Sequence, residues 1–180
     1  MNFKKWLIVA AGLFTIGLII GLVAPADFLS QEIKNLEETA EEIVGLPLLA
    51  IFLFVLFKNV TSILVSFTLS PILLLVPVTA LILNGWILGA VSAVVAQEES
   101  LGFVLAGVLP HGIIEIPAFI VAEAAALGIG FTVMVALLKK EKRPQVTPAF
   151  KQNLRYLIIA AVLLVPAALI ETFITPIFIS

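Results

Sequence analysis

The chain has 180 residues, 62% of them hydrophobic and 12% charged, with a mean hydropathy of +1.22. A water-soluble domain is about half apolar and one quarter charged, so this composition excludes an ordinary soluble fold and specifies an integral membrane protein, read here as a single membrane domain over 1–180. A net charge of −2 with segregated charges gives no footprint for nucleic acid, and the lack of cysteine excludes disulfides, thiol chemistry and thiolate metal sites.

Lys4 and Lys5 precede the first apolar run, 6–24. Ala24-Pro25-Ala26 has the small residues of a cleavage site, but the run is longer than the about 7–15 residues of a signal-peptide core, so a retained span is expected. Gly17 and Gly21 form a GxxxG, a spacing that lets two helix backbones approach closely, and helix packing is the role expected of them. In 27–44, "DFLSQEIKNLEETAEEIV", Leu29, Ile33, Leu36, Ala40 and Ile43 recur at steps of four and three, one face of a helix. Glutamates fill the rest and Asp27 is placed to cap it, which predicts an acidic amphipathic helix outside the membrane. It suits a cover or a partner-docking element better than a lipid-surface helix, whose polar face is usually basic.

The second span, 46–69, carries Lys58 and Asn59 in the polar run "KNVTS" near its middle. The third, 72–96, carries Asn84 and a second GxxxG, Gly85 and Gly89. The fourth apolar stretch, 101–138, has 38 residues. As a helix it would be about 57 Å long, against about 30 Å for one crossing. The surplus predicts a broken or re-entrant segment, and the densest breakers are Pro110, Gly112 and Pro117 around His111 and Glu115. Asn84 is expected to help satisfy backbone groups freed there. A loop at 139–153 and a last span at 154–177, with Glu171 near its end, complete the chain.

Eight of the ten basic residues lie in two clusters, Lys4 and Lys5 at the start and Lys139 to Arg155 around the loop. Basic clusters mark the cytoplasmic side. The acidic residues of 27–44, and Glu98 and Glu99, then fall outside. The expected fold is all-α: a polytopic helical protein of the cell membrane with five crossings, a cytoplasmic N-terminus and an extracytoplasmic C-terminus.

Five ionisable residues sit inside the spans: Lys58, His111, Glu115, Glu123 and Glu171. One charge at the bilayer centre costs about 3 kcal/mol on insertion scales, so each must be paired, neutralised or hydrated. They form either a polar lock between helices or a functional site. His111 and Glu115 are four apart, on one helix face if the backbone stays helical. A His–Glu pair suits proton relay, acid–base work or metal ligation. His111 and Glu115 are only weak metal candidates, since there is no HExxH pair, and no cofactor is expected. Glu115 is expected to face protein and pair with His111 or Lys58.

Three stretches in consistent order, "NGWILGA", "LPHGIIEIPAFIVAEAAALGIG" and "LIETFITP", together with "FKNVTSILVSF", resemble the stage II sporulation protein M family, most specifically at the PHGxxE-x-PA core. The likeness implies a membrane protein of five or six helices. The namesake is understood as a membrane partner of cell-wall hydrolases that drive membrane migration during engulfment. Glu123 departs from the pattern, which usually has small residues there. The function expected is therefore a non-enzymatic membrane scaffold or complex subunit, with an extracytoplasmic or membrane protein partner and with homo-oligomers left open. A proton- or ion-coupled transporter or channel is the alternative, and an intramembrane hydrolase the second alternative.

Overall fold

The computed structural model describes residues 2–24 and 45–179. The acidic helix expected over 27–44 lies outside the described residues. Every described element is helical: α1 (Phe3–Val23), α2 (Leu48–Leu69), α3 (Leu75–Glu98), α4 (Leu101–Leu138), a 3-10 turn (Lys140–Gln145), α5 (Val146–Phe173) and the short α6 (Thr175–Ile179). The first five α-helices are long and apolar enough to cross a membrane, as the hydropathy pattern requires.

Glycine makes the tightest helix pair. α1 and α3 pack along much of their length. A Cβ on Gly17 or Gly21 would collide with the carbonyls of Ile82 or Trp86, and one on Gly85 or Gly89 with those of Phe14 or Leu18. The two GxxxG motifs thus face each other, backbone against backbone. In lipid no hydrophobic effect drives helices together, so this close van der Waals approach is what holds the pair.

α4 runs through the middle of the molecule. Residues 122–130, "AEAAALGIG", are all buried. One face meets α2 and α5, where Ala118, Ala122 and Ala125 pack with Ile63, Phe67 and Leu164. The other meets α1 and α3, where Ala124 and Leu127 pack with Ala10, Phe14 and Leu81. Small side chains allow four neighbours around a single helix. Its start is capped by Ser100, whose Oγ accepts from the Phe103 N–H at 3.1 Å.

The break expected at Pro110, Gly112 and Pro117 is absent: α4 is one helix of 38 residues with both prolines inside it. The physical reason is the solvent. An interior proline costs about 3 kcal/mol in water. Unwinding a turn in the bilayer would strip several backbone groups, at several kcal/mol each. Keeping the helix and losing one N–H per proline costs less. The surplus length is taken up by extension. Thr175, just past the end of α5, is level with His111, so residues 101–110 reach beyond that end.

A second difference is at the loop expected over 139–153. α5 starts at Val146, so the second half of that loop is helical. Pro148 stands in its first turn, where the missing N–H needs no partner. Buried Asn153 donates its amide to the Ala149 carbonyl at 2.8 Å. At this end Phe3 stacks on Tyr156 with centroids 3.6 Å apart, and Trp6 lies 5.3 Å from Phe131. The start of α1 therefore shares one end of the bundle with the close of α4 and the start of α5.

Candidate functional site

The stretch of α4 from Val108 to Phe119 faces a cavity of about 420 Å³. Its polar lining is Asn59 and Ser62 from α2, Asn84 from α3, and His111 and Glu115 from α4. Phe14 of α1 and Leu164 of α5 contribute apolar wall. The volume falls in the range of small-ligand pockets, about 300–1,000 Å³. The cavity is lined by both α2 and α3, which make little contact with each other.

Helical continuity sets the geometry. Because α4 does not unwind, His111 and Glu115 stay one turn apart on one face. They do not hydrogen-bond each other among the described residues. Glu115 Oε1 accepts from Asn59 Nδ2 at 3.1 Å. His111 Nδ1 lies 3.2 Å from Thr175 Oγ1. The expected partners of Glu115, His111 and Lys58, are thus replaced by Asn59. Lys58 is one residue away, exposed, and within electrostatic reach of Glu115 and Glu171 without forming a hydrogen-bonded ion pair. Consecutive helical residues point about 100° apart, so α2 can turn only one of Lys58 and Asn59 inward.

Glu171, sixty residues from His111 and on α5, joins the same cluster. One ligand-capable atom from each of His111, Glu115 and Glu171 lies within 4.8 Å of the others. All three are half-buried. Asn84 borders the cavity, but its amide donates to the Ala80 carbonyl of its own helix at 2.8 Å. With no break to satisfy, it has no backbone partner on α4.

Glu123 is separate. It is 0% exposed, and its Oε2 accepts from Ser66 Oγ at 2.5 Å. Its Oε1 is buried with no hydrogen-bond partner among the described residues, as is Thr172 Oγ1. Pro110 is half-buried, Gly112 buried and Pro117 exposed. Ser62 lies in the polar run "KNVTS" picked out in the sequence, whereas Ser66 and Thr175 were not singled out. Hydroxyl residues are common in membrane helices because they bond their own backbone, and no pattern in the chain ties Thr175 to His111.

A family model described as stage II sporulation protein M matches residues 10–176. The chain is 30% identical over 172 residues to an uncharacterized protein of Methanocaldococcus jannaschii, covering 91% of this chain and 90% of that protein. No solved structure matches it.

Proposed function

The chain belongs to the stage II sporulation protein M family, and from that premise we propose that it is an integral membrane subunit of a larger complex, whose partner covers α2. The observation that carries this reading is Lys58. α2 is the least buried of the five spans. Lys58 sits ten residues into this 22-residue helix and is exposed. A lysine exposed to lipid at that depth costs about 2.5–3.5 kcal/mol, offset only in part by Glu115 and Glu171, which it reaches without a hydrogen bond, and its side chain must span roughly 15 Å of helix to reach the end. A second membrane segment offering a carboxylate or carbonyl to Lys58 removes that cost. Ser62, one turn along, is exposed too and borders the cavity, so the partner would lie beside the cavity mouth.

The orientation proposed is a cytoplasmic N-terminus and an extracytoplasmic C-terminus in the cell membrane. It is supported by the aromatic contacts that bring both basic clusters to one end of the bundle. A photo-cross-linking side chain in place of Phe57, which is 73% exposed, tests the subunit reading in native membranes. The expected result is one protein adduct of discrete mass, lost when Lys58→Leu is added. Adducts to lipid alone, unchanged by Lys58→Leu, would reject it.

The cavity favours one second reading, proton- or ion-coupled passage, because His111 and Glu115 line it at membrane depth. Proteoliposomes that dissipate an imposed proton gradient with the parent chain but not with Glu115→Gln would establish it. Hydrolysis has less support. The hydroxyl bonded to the imidazole among the described residues, that of Thr175, is 6% exposed and donates to the Ile170 carbonyl.

A further inference from the structure

We infer that His111, Glu115 and Glu171 form a binding site for one divalent transition-metal ion inside the helical bundle. The inference goes beyond the subunit reading and does not depend on it, since its three ligands come from α4 and α5 and not from α2.

The first ground is the donor set and its spacing. A nitrogen and two carboxylate oxygens lie within 4.8 Å of one another. Donors around a tetrahedral ion, each about 2.0–2.2 Å from it, are roughly 3.4 Å apart. Rotating side chains inward by about 1 Å closes that gap. The residues come from two helices, α4 and α5, and α6 braces them, so the site is assembled by packing.

The second ground is the state of the imidazole. Thr175 Oγ1 is 3.2 Å from the Ile170 carbonyl and 3.2 Å from His111 Nδ1. A hydroxyl has one proton, and a carbonyl can only accept. With that proton donated to the Ile170 carbonyl, the His111–Thr175 bond is one in which the imidazole Nδ1–H donates. A neutral ring with its proton on Nδ1 carries a lone pair on Nε2. Metal-binding histidines are commonly held this way, by a second hydrogen bond that fixes tautomer and ring direction. Glu115 is likewise held, by Asn59 Nδ2 at 3.1 Å.

The third ground is charge. Two carboxylates held close together at membrane depth repel, and among the described residues no cation is hydrogen-bonded to them. A doubly charged ion with two carboxylates and one neutral imidazole sums to zero, the state that a low-dielectric interior favours. Lys58 remains the competing positive charge, outside the cluster. Three protein ligands leave at least one coordination position open, and His111 and Glu115 both border the cavity of about 420 Å³. That is the arrangement of an ion that meets a small ligand or water. A set with one imidazole and two carboxylates suits Zn²⁺, Mn²⁺ or Fe²⁺. It offers too few oxygens for Ca²⁺, which takes about 6–8.

The test uses the full chain in lipid nanodiscs, stripped with a chelator and titrated separately with Zn²⁺, Mn²⁺ and Ca²⁺ against an indicator. The expected result is one Zn²⁺ or Mn²⁺ per chain and no stoichiometric Ca²⁺. Affinity should fall at least 100-fold in His111→Ala and in Glu171→Gln. Thr175 is a positioning residue: Thr175→Val should weaken binding about 10–100-fold, and Thr175→Ser should restore it. Lys58→Leu should leave binding equal or tighter. If His111→Ala does not fold, Glu171→Gln and X-ray absorption at the zinc edge decide instead, with one imidazole and the rest oxygen expected. No stoichiometric ion in the folded parent, equal binding in Glu171→Gln, or a shell without imidazole would overturn the site. These outcomes are read independently of cross-linking at Phe57, so either proposal can fail alone.

Discussion

Glu123 shows how a single buried carboxyl is held in an apolar helix bundle. Its Oε2 has Ser66 Oγ, while its Oε1 has no partner among the described residues. Removing the one donor leaves a fully desolvated group, at a cost of about 1–3 kcal/mol. Ser66→Ala should therefore lower stability by that amount in detergent unfolding. Adding Glu123→Leu should recover most of the loss, because it removes the stranded polar group and keeps a similar volume. Additive losses in the double variant would show that Ser66 and Glu123 are not coupled. Sequence alone flags Glu123 as an ionisable residue in a span. It does not identify Ser66, 57 residues away, because a serine in a membrane helix is unexceptional until packing brings an acceptor to it.

Two elements follow opposite logic. The α1–α3 pair depends on glycine at fixed spacing, which the sequence displays openly. Gly85→Ile would drive a branched side chain into the Phe14 carbonyl, and overpacking costs about 1–3 kcal/mol or more where backbone is struck. It should lower the melting temperature sharply, whereas Gly12→Ala, where a Cβ meets nothing within 4 Å, should leave it nearly unchanged. Equal effects would remove the case for close backbone contact. α4 is the reverse: its prolines and glycine read as a break, yet the helix persists. Pro117 is exposed, and Pro117→Ala would restore an N–H able to reach the Ile113 carbonyl. That substitution is expected to be neutral or stabilising by up to about 1 kcal/mol, as measured by thermal melting. A marked loss of stability would mean that the proline's ring, or a distortion it creates, is needed.

For the whole molecule, alternating charge along the chain and the shared basic end of the bundle support the proposed topology. The chain has no cysteine, so single-cysteine labelling has no background. A membrane-impermeant reagent applied from outside should modify Glu99→Cys and spare Lys142→Cys until the membrane is permeabilised. The reverse pattern would invert the protein. In the proposed orientation Glu171, near the end of α5, and the His111 cluster lie toward the outer half of the bundle, and an ion at the proposed site would arrive from the extracytoplasmic side.

Composition and hydropathy by themselves determined that this is a helical membrane protein with five crossing helices, because transfer into hydrocarbon is decided by local apolar length and by helical backbone bonding. They also displayed the glycine spacing, and they singled out His111, Glu115 and Glu171 as intramembrane ionisable groups, because such groups stand out against an apolar background. Tertiary packing decided the rest. It kept α4 continuous through two prolines, since unsatisfied backbone in lipid costs more than a lost hydrogen bond. It joined Glu171 to His111 and Glu115, gave Glu115 to Asn59 rather than to Lys58, and oriented the imidazole through Thr175. Those partners lie 56 to 64 residues apart, and no local pattern encodes which faces of two separate helices will meet.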